Sequence, residues 1–529
     1  MNNQSEVHIL SGGIWRLSHI RFIGKMKGGF SMLDAIVIGA GISGCSVARE
    51  LGRYNIKALV LEKGNDIGAA TTRGNSATVH AGYDPDPGSN KAIYNVRGSR
   101  MYPSLCAELE VPYLKNGLVM IATDEAQMEE CRRLKECGDA NGVTTEVCSI
   151  EQLRKYEPDL GDGIIGGLWV PDSGMVCPYN LAIAEAENAA INGVEFRLHT
   201  EVTRIEKGEN CWKVTVKDDE CFETKYIFNC AGTAAARMNN MVSADTFNII
   251  PREGQHLIID RNYAPYVHAT IYRTPELLPT GGHTKGMGLM PSVDGTLILG
   301  CNADDVDDPD FNATTQEGID KIIDWFEDNW KFLPISTHVP KFPRDAVITA
   351  YGGVRAHPDR DDFILGEPFD APYFINLAGI ESPGVTAAPA IAPDMVKIMV
   401  DREGLTQKED WRPGRIVKKP FREMTMEERE KAIAEDPDYA KIVCRCEQVT
   451  EAEIRAAIHR PIPATSINAV KMRVRAGMGR CQGGFCSPRV LQILSEELGV
   501  SPLEITQSGG SNSYVLVGEA CEGKGGDDE

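Results

Sequence analysis

Residues 33–44 read LDAIVIGAGISG, an apolar run that passes directly into a glycine turn. The apolar run predicts a short, buried strand of a parallel sheet, and the apolar spacing of residues 45–51 predicts a helix after the turn. A second strand is predicted at residues 58–61, and it ends at Glu62. A strand, a glycine turn, a helix and a second strand in this order indicate a unit that binds a dinucleotide.

The three glycines of this turn have different roles. Gly39 permits the tight bend, Gly41 lets the backbone approach a pyrophosphate, and Gly44 lets the helix pack closely against the strand. The helix start, with Ser43 in its first turn, offers free N–H groups and the positive end of its dipole to phosphates. Glu62 lies 18 residues after Gly44, where a carboxylate accepts hydrogen bonds from ribose hydroxyls.

The sequence downstream of this unit favours FAD over NAD as the dinucleotide. Residues 68–76 (GAATTRGNS) form a loop of small residues that suits close packing against a cofactor. Residues 224–232 (TKYIFNCAG) read as a strand that runs into a glycine turn, and they resemble the second FAD-contacting strand of flavoproteins. The candidate cofactor-binding residues of this part of the chain are Lys63, Thr71, Thr72, Asn75, Ser76, Val202, Ala231 and Gly232.

Three further stretches resemble the D-amino-acid-oxidase (DAO) superfamily, the family that includes glycine oxidase, L-2-hydroxyglutarate oxidase and glycerol-3-phosphate dehydrogenase. Residues 75–92 contain NSATVHAG and PGSNKA, similar to the hydroxyglutarate-oxidase pattern. Residues 285–295 (KGMGLMPSVDG) resemble the strand and turn of the substrate domain in that branch. Residues 379–386 (GIESPGVT) resemble the loop and helix start that lie against the flavin. The resemblance runs from about residue 33 to residue 400.

This resemblance implies an α/β fold. A Rossmann-like FAD domain of the two-dinucleotide-binding type would be interleaved with an α+β substrate domain, and a small helical [2Fe-2S] domain would follow. The helix that starts within residues 379–386 can stabilise negative charge on a reduced flavin. Further flavin-contacting residues implied by the resemblance are Gly353, Gly379, Ser382, Gly384, Val385 and Thr386.

Flavin-dependent oxidation of an alcohol or amine needs a base, and cations that hold an acidic substrate. His80 lies in the motif that the family places near the flavin ring and is the candidate base; the alternative is a histidine that only hydrogen-bonds within the flavin loop. Arg355 resembles the family's arginine beside the substrate, with a surface salt bridge as the alternative. Arg252 and His256 fall where the family starts its substrate sheet, and structural roles are their alternatives. Lys285 fits a solvated turn lysine better than a substrate ligand.

Four cysteines near the C-terminal end form the pattern C-x-C, 34 residues, C-x4-C. Paired zinc ligands are usually spaced C-x2–4-C, so the C-x-C spacing argues against zinc. The pattern closely resembles the bacterioferritin-associated-ferredoxin (BFD)-like [2Fe-2S] module, which also ends the large subunit of anaerobic glycerol-3-phosphate dehydrogenases. Structural zinc and plain thiols are the alternatives. Between the pairs, Thr450 and Glu453 predict a helix start with a capping box. The candidate cluster ligands are Cys444, Cys446, Cys481 and Cys486.

The chain has 529 residues, more than a single hydrophobic core usually serves. The predicted divisions are an extension at 1–31, the FAD-dependent oxidoreductase part at 32–400, a linker at 401–440, the cluster domain at 441–500 and a tail at 501–529. Residues 27–29 can be encoded by a purine-rich stretch like a ribosome-binding site. We therefore hypothesise that translation starts at Met32, which N-terminal mass spectrometry of the natural protein tests.

Charge and hydropathy exclude several classes of function. The formal net charge of −21 argues against a nucleic-acid partner, because phosphate binding needs a basic face. No run approaches the roughly 18–20 apolar residues of a membrane span, and no export signal is evident. Clustered cysteines then indicate metal binding in a reducing cytoplasm. We expect a cytoplasmic protein, with any contact to a membrane made through a partner subunit.

A built-in cluster favours a dehydrogenase over an oxidase, because an oxidase passes electrons from flavin directly to oxygen. We expect an FAD-dependent dehydrogenase that oxidises a small anionic alcohol, glycerol 3-phosphate first and an L-2-hydroxy acid second. Electrons would leave through the cluster to a partner subunit or electron carrier, in a homo- or hetero-oligomer that the sequence leaves open. The alternatives are an amino-acid or amine dehydrogenase, an electron-transfer subunit without its own substrate, and a redox sensor or scaffold.

Overall fold

The structure is a computed structural model, and it describes residues 32–274, 286–510 and 513–516. The hypothesis about residues 1–31, the interpretation of Lys285 and the end of the predicted tail lie outside the described residues. No helix within the described part of the chain is both long enough and apolar enough to cross a membrane.

Twenty-two strands run through the described residues. In chain order they are β1 (Leu33–Ile38), β2 (Ala58–Leu61), β3 (Thr78–Val79), β4 (Tyr113–Leu114), β5 (Leu118–Ala122), β6 (Glu146–Ser149), β7 (Gly166–Val170), β8 (Gly174–Val176), β9 (Glu195–Arg197), β10 (Val202–Lys207), β11 (Trp212–Val216), β12 (Cys221–Asn229), β13 (Ile249–Ile259), β14 (Thr270–Arg273), β15 (Gly288–Pro291), β16 (Leu297–Gly300), β17 (Asp304–Asp305), β18 (Val347–Pro358), β19 (Ile364–Gly366), β20 (Phe374–Ala378), β21 (Ile442–Cys444) and β22 (Val449–Thr450).

Twelve α-helices accompany these strands in the same described residues. They are α1 (Ile42–Leu51), α2 (Asn90–Glu108), α3 (Glu125–Ala140), α4 (Ile150–Leu153), α5 (Pro178–Ile191), α6 (Ala235–Asn240), α7 (Gln316–Asn329), α8 (Gly384–Glu403), α9 (Met426–Glu435), α10 (Glu451–Ile458), α11 (Ile467–Val474) and α12 (Ser487–Leu498).

The first large sheet has five parallel strands in the order β9-β2-β1-β12-β20. Strands β11 and β19 pair antiparallel with β12 and β20, and β10 pairs antiparallel with β11. Its central strand is buried on both faces, as a parallel sheet requires. Ala35 and Val37 pack against α1, α5 and α8, whereas Ile36 and Ile38 pack into a separate core on the other face. The predicted strand-turn-helix-strand unit and the Rossmann-like fold class are confirmed.

The second large sheet has nine strands in the order β17-β13-β16-β15-β14-β5-β7-β6, with β18 also paired to β13. Its strands alternate along the chain with those of the first sheet, so the two parts are interleaved. The long antiparallel pair β13–β18 places Arg252 opposite Arg355, and His256 opposite Tyr351. Gly353 of this pair closely approaches Gly74, because a Cβ on Gly353 would lie 2.5 Å from the Gly74 carbonyl oxygen. The second sheet therefore contacts the flavin loop predicted at residues 68–76.

The C-terminal part folds around a core of its own. Helices α10, α11 and α12 bury Ile454, Val470 and Ile493 together with Cys444 and Cys486. Helix α10 begins with the predicted capping box, in which Thr450 and Glu453 exchange side-chain to backbone hydrogen bonds. Upstream of this core, the backbone carbonyl oxygens of residues 412–414 accept hydrogen bonds from the Asn188 side chain of α5.

Candidate functional site

A continuous cleft runs from the carboxyl ends of the parallel strands to the second sheet. Its walls come from the β1–α1 turn, the loop after β2, the turn after β12 and the start of α8. Such a crevice outside the carboxyl ends of parallel strands is where open α/β folds bind ligands. The predicted residues that line it are Gly39, Gly41, Ser43, Glu62, Lys63, Thr71, Thr72, Asn75, Ser76, His80, Val202, Ala231, Gly232, Arg355, Ser382, Gly384 and Val385.

Four predicted cofactor residues do not line the cleft. A Cβ on Gly44 would lie 1.9 Å from the Gly39 carbonyl oxygen, so Gly44 serves the close packing of α1 against the turn. Gly353 packs on Gly74, and Gly379 adopts a positive φ of 66° in the loop before α8. The Thr386 hydroxyl accepts a hydrogen bond from the backbone N–H of His80 at 3.0 Å. These residues support the segments that form the cleft walls without lining the cleft themselves.

The turn after β1 fits a dinucleotide. Gly39 has a φ of 97°, and a Cβ there would lie 2.5 Å from the Cys230 carbonyl oxygen, so this position needs glycine. The Glu62 carboxylate accepts hydrogen bonds from the backbone N–H groups of Ala40 and Gly64, each at 2.6 Å. Burial raises the pKa of Glu62, and the two backbone donors oppose that rise. The carboxylate is therefore held at the end of β2, where the predicted ribose contact requires it.

Arg355 projects from β18 into the cleft. Its guanidinium donates to the Glu253 carbonyl oxygen at 3.1 Å, to the Cys301 sulfur at 2.7 Å and to the Asn302 carbonyl oxygen at 3.3 Å. All three partners are formally neutral, and Arg355 makes no ion pair with any residue that the structure describes. The cleft thus contains a fixed guanidinium whose positive charge no described carboxylate balances.

Two other predicted substrate residues lie outside the cleft lining. Arg252 pairs with Asp305 at 2.7 Å, so its charge is already balanced. His256 is 1% exposed and stacks on the Tyr351 ring, with the ring centroids 4.9 Å apart. Its two ring nitrogens have no hydrogen-bond partner among the described residues. Of the four predicted chemical residues, the structure brings only His80 and Arg355 together in the cleft.

Sequence reasoning missed several polar residues at the cleft. Glu381 lines it, and its buried carboxylate contacts the Lys91 ammonium at 2.8 Å and the His357 ring at 3.0 Å. Glu381 lies within residues 379–386, the stretch that resembles the flavin-contacting loop, so the sequence could have identified it. Tyr272 also lines the cleft, and burial raises its pKa to about 12, which keeps its hydroxyl protonated. No motif marked Tyr272.

The four predicted cluster ligands converge as two pairs. The sulfurs of Cys446 and Cys481 are 4.0 Å apart, and Cys444 hydrogen-bonds with Cys486. That bond, together with donation from the backbone N–H groups of Gly477 and Glu447, lowers the pKa of Cys444.

The surroundings of these sulfurs also fit a cluster. A Cβ on Gly479 would lie 2.2 Å from the Cβ of Cys446, so glycine lets the cysteine loops approach each other. Backbone N–H groups of Gly483 and Phe485 face the Cys481 sulfur and lower its pKa against the effect of burial. Backbone donors around converging thiolates fit an iron–sulfur cluster.

A dinucleotide cleft with a histidine and an unbalanced arginine, joined to a four-cysteine module, defines a flavin-dependent oxidoreductase that carries its own iron–sulfur centre. The chain belongs to the FAD dependent oxidoreductase family (DAO), which it matches over residues 34–398. It also matches the BFD-like [2Fe-2S] binding domain over residues 442–496. FAD and a [2Fe-2S] cluster, both predicted from the sequence, are confirmed as its cofactors.

Three relatives illustrate this membership. The glycerol 3-phosphate dehydrogenase of Caloramator mitchellensis is 42% identical over 489 residues, which cover 92% of this chain and 98% of that protein. The anaerobic glycerol-3-phosphate dehydrogenase subunit A1 of Haloferax volcanii is 24% identical, over 88% of this chain and 83% of that protein. The solved structure of dithionite-reduced L-alpha-glycerophosphate oxidase from Mycoplasma pneumoniae, with FAD bound, gives a TM-score of 0.67 at 26% identity. The structural match covers 74% of this chain and 100% of the oxidase chain.

Proposed function

We propose that this protein is an FAD-dependent glycerol-3-phosphate dehydrogenase that delivers its electrons through the [2Fe-2S] cluster to a partner. The observation that carries the proposal is the unbalanced guanidinium of Arg355 in the same cleft as His80. A phosphate or carboxylate group is the partner that such a guanidinium binds best. The 42% identity to a glycerol 3-phosphate dehydrogenase over 92% of this chain supports the phosphate.

In this proposal His80 is the base that takes the proton of the substrate hydroxyl. Its backbone N–H is tied to the Thr386 hydroxyl at the start of α8, which fixes the loop that carries the ring. An imidazole titrates near neutral pH and so suits proton transfer there. FAD, when bound, accepts the hydride from the substrate carbon. Arg355 would hold the anionic end of the substrate and so orient the hydroxyl carbon within the cleft.

The protonated hydroxyl of Tyr272 is a second candidate contact to the substrate. It lies 3.3 Å from the hydroxyl of Thr78, which also lines the cleft, and donates to the Met290 sulfur at 3.1 Å. When substrate is bound, this single O–H can turn from the sulfur, a weak acceptor, to a substrate oxygen without adding negative charge. An anionic substrate therefore meets one cation and neutral donors on this side of the cleft.

The proposed electron exit lies at the outer side of the cluster module. Cys446 is exposed, whereas Cys444 and Cys486 are buried, so one ligand pair is closer to solvent than the other. Phe485, between the last two cysteines in sequence, is 89% exposed. These residues give a redox partner direct access to the cluster. The naming of the Haloferax volcanii relative as a subunit also supports a partner protein.

The experiment that tests the substrate is anaerobic. Purified protein is mixed with glycerol 3-phosphate, and separately with L-2-hydroxyglutarate, while the flavin absorption band near ~450 nm is followed. We expect rapid bleaching by glycerol 3-phosphate, followed by the EPR signal of a reduced cluster. Bleaching by L-2-hydroxyglutarate alone would assign the L-2-hydroxy acid instead. Bleaching by dithionite but by neither substrate would overturn the proposal.

A further inference from the structure

The cluster module is held against the oxidoreductase part by buried ion pairs. Arg473 of α11 has no exposed side-chain surface, and it donates to both carboxylate oxygens of Asp66 at 2.8 Å. Arg475 pairs with Asp294 at 2.6 Å and with Glu447 at 2.9 Å. Charge-assisted pairs in a bidentate geometry fix orientation as well as distance. Helix α11 therefore has a defined position relative to the cleft.

Only the loop after β2 separates α11 from the cleft in this part of the structure. Ala69 of the loop after β2 lines the cleft, and it also lines a small cavity against Ala469 and Met472 of α11. Arg73 of the same loop lines that small cavity but not the cleft, although its neighbours Thr72 and Gly74 do line the cleft. Arg73 thus faces the cluster module, on the side of the loop away from the flavin.

Lys471 stands on the cluster side of the same interface. Its ammonium donates to the side-chain oxygen of Gln482, which follows the ligand Cys481, at 3.3 Å. A Cβ on Gly477 would lie 4.0 Å from the Cδ of Lys471, which places its stem along the cysteine loop. Burial lowers the pKa of Lys471, as do Arg475 and Arg73, while Cys486 raises it. Lys471 therefore lies within the electrostatic reach of both Arg73 and the cluster ligands.

Lys471 and Arg73 share an unusual electrostatic position. Among the residues that the structure describes, neither makes an ion pair with a carboxylate, whereas Arg473 and Arg475 beside them do. Both side chains are half-buried, and a charge taken partly out of water without a counter-charge is costly to maintain. A [2Fe-2S] cluster held by four thiolates is itself a net anion, and reduction by one electron adds to its negative charge. The cluster is the counter-charge that Lys471 fits, whereas the carboxylate nearest in effect to Arg73 is Asp66, which Arg473 already binds.

We propose that Lys471, assisted by Arg73, forms a cationic bridge between the flavin loop and the cluster that raises the reduction potential of the cluster. The inference rests on the proposed function only in the direction of electron flow, from flavin to cluster. Lys471 and Arg73 are positioning residues in this scheme, since they contact neither the substrate nor the reacting atoms.

A reduced flavin carries two electrons and the cluster accepts one at a time, so two transfers are needed for each substrate oxidised. Each transfer removes one electron from the reduced flavin and converts one ferric ion of the cluster to ferrous. The cluster then gives that electron to a one-electron acceptor protein, and a second transfer restores oxidised flavin with its protons released to solvent. A cation beside the cluster stabilises its reduced form, which carries the extra negative charge. The bridge thus makes each transfer from flavin to cluster more favourable.

The test is an anaerobic redox titration of the full chain, with mediators and with the reduced cluster followed by EPR. We expect Lys471→Gln to shift the equilibrium toward the oxidised cluster by about tenfold or more, which is ~59 mV for a one-electron couple. Arg73→Gln shifts it in the same direction by less. Lys471→Arg, which keeps the charge, stays near the wild-type potential.

Lys441→Gln is the matched control. Lys441 lies three residues before Cys444, but its side chain is 57% exposed and pairs with Asp438, so its charge is screened. An unchanged potential in Lys471→Gln, or an equal shift in Lys441→Gln, would overturn the inference. If Lys471→Gln fails to assemble a cluster, as judged by its iron content, Arg73→Gln decides: a wild-type potential there also overturns it. The titration uses no substrate, so it fails independently of the flavin-bleaching test.

Discussion

His80 and Arg355 are far apart in sequence, and they come from different sheets. His80 follows β3 and is tied through its backbone to Thr386, while Arg355 extends from the middle of β18. Both line one cleft, so a base and a cation can act on the same small molecule. Their supports are separate, so each role can be tested alone.

The role of His80 as base predicts a large effect on flavin reduction. In His80→Asn the proton of the substrate hydroxyl has no imidazole acceptor, and we expect the rate of flavin reduction to fall ~10²–10⁴-fold. The FAD content should stay unchanged, since the bond to Thr386 uses the backbone. Stopped-flow absorption measures the rate, and His338→Asn, which removes an exposed ring paired with Asp159, is the control. A wild-type rate in His80→Asn would exclude the imidazole as the base.

The chain offers a matched pair of arginines for testing anion binding, because Arg252 and Arg355 are cross-strand neighbours. Arg355→Gln should lower kcat/KM about 10–100-fold, since hydrogen bonds to charged groups contribute ~1.5–3 kcal/mol. Arg252→Gln should change it by less than about fivefold, because it loses only a partly exposed pair with Asp305. Steady-state kinetics with glycerol 3-phosphate measures both. Equal losses in the two variants would contradict the assignment of the anion site to Arg355.

At the scale of elements, the β1–α1–β2 unit was predictable because every part of it has a local cause. The apolar run of β1, the glycines of the turn and the acid after β2 each act within a few residues of one another. The pairing of β13 with β18 was not predictable in this way, since about a hundred residues separate the two strands. The sequence identified both Arg252 and Arg355 as candidates, and the register places them opposite each other. Only the position of the cleft shows that Arg355 lines it, whereas Arg252 pairs with Asp305.

The packing of α1 on α5 makes a prediction about pH. Glu185 of α5 is buried against Ser46 of α1, which donates to it at 2.8 Å. Burial raises its pKa to about 7, against the opposing effects of Arg49 and Ser46. Between pH ~4.5 and ~7 the folded state then holds this proton more tightly than the unfolded state, so stability falls as the pH rises through that window. The full effect is about 3 kcal/mol.

Glu185→Gln removes this titration while keeping an oxygen for Ser46 to donate to. We expect the variant to gain thermal stability over the wild type as the pH rises from 5 to 8, with little gain at pH 5. Differential scanning fluorimetry across this range measures the difference. Glu125→Gln, which changes an exposed residue at the start of α3, should show a flat difference. A difference that does not grow with pH would show that the folded-state pKa of Glu185 is not raised.

At the scale of the whole molecule, two cofactor sites with separate sequence signatures are joined by contacts that have no signature. The glycine turn and the cysteine spacing each predicted a cofactor, because each is a short motif with a fixed geometry. The contact between them depends on Arg473 reaching Asp66, 407 residues away along the chain. Single charged residues of this kind are indistinguishable in sequence from surface residues, so the docking of the module could not be predicted.

Because the two cofactor sites are separate, we expect that removing the cluster stops electron transfer to a protein acceptor but leaves flavin reduction by substrate intact. In the double variant Cys446→Ala/Cys481→Ala we expect FAD content and flavin bleaching by glycerol 3-phosphate to stay near wild type, because none of the described residues that line the cleft belongs to the module. Reduction of a protein one-electron acceptor should fall to background, while a small dye that takes electrons directly from flavin is still reduced. The buried pair of Arg473 and Asp66 involves neither cysteine, so the module should stay docked.

Cys221→Ser, at an exposed cysteine of β12, is the control. Continued reduction of the protein acceptor by the double variant would mean that electrons leave from the flavin itself and that the cluster has a structural role.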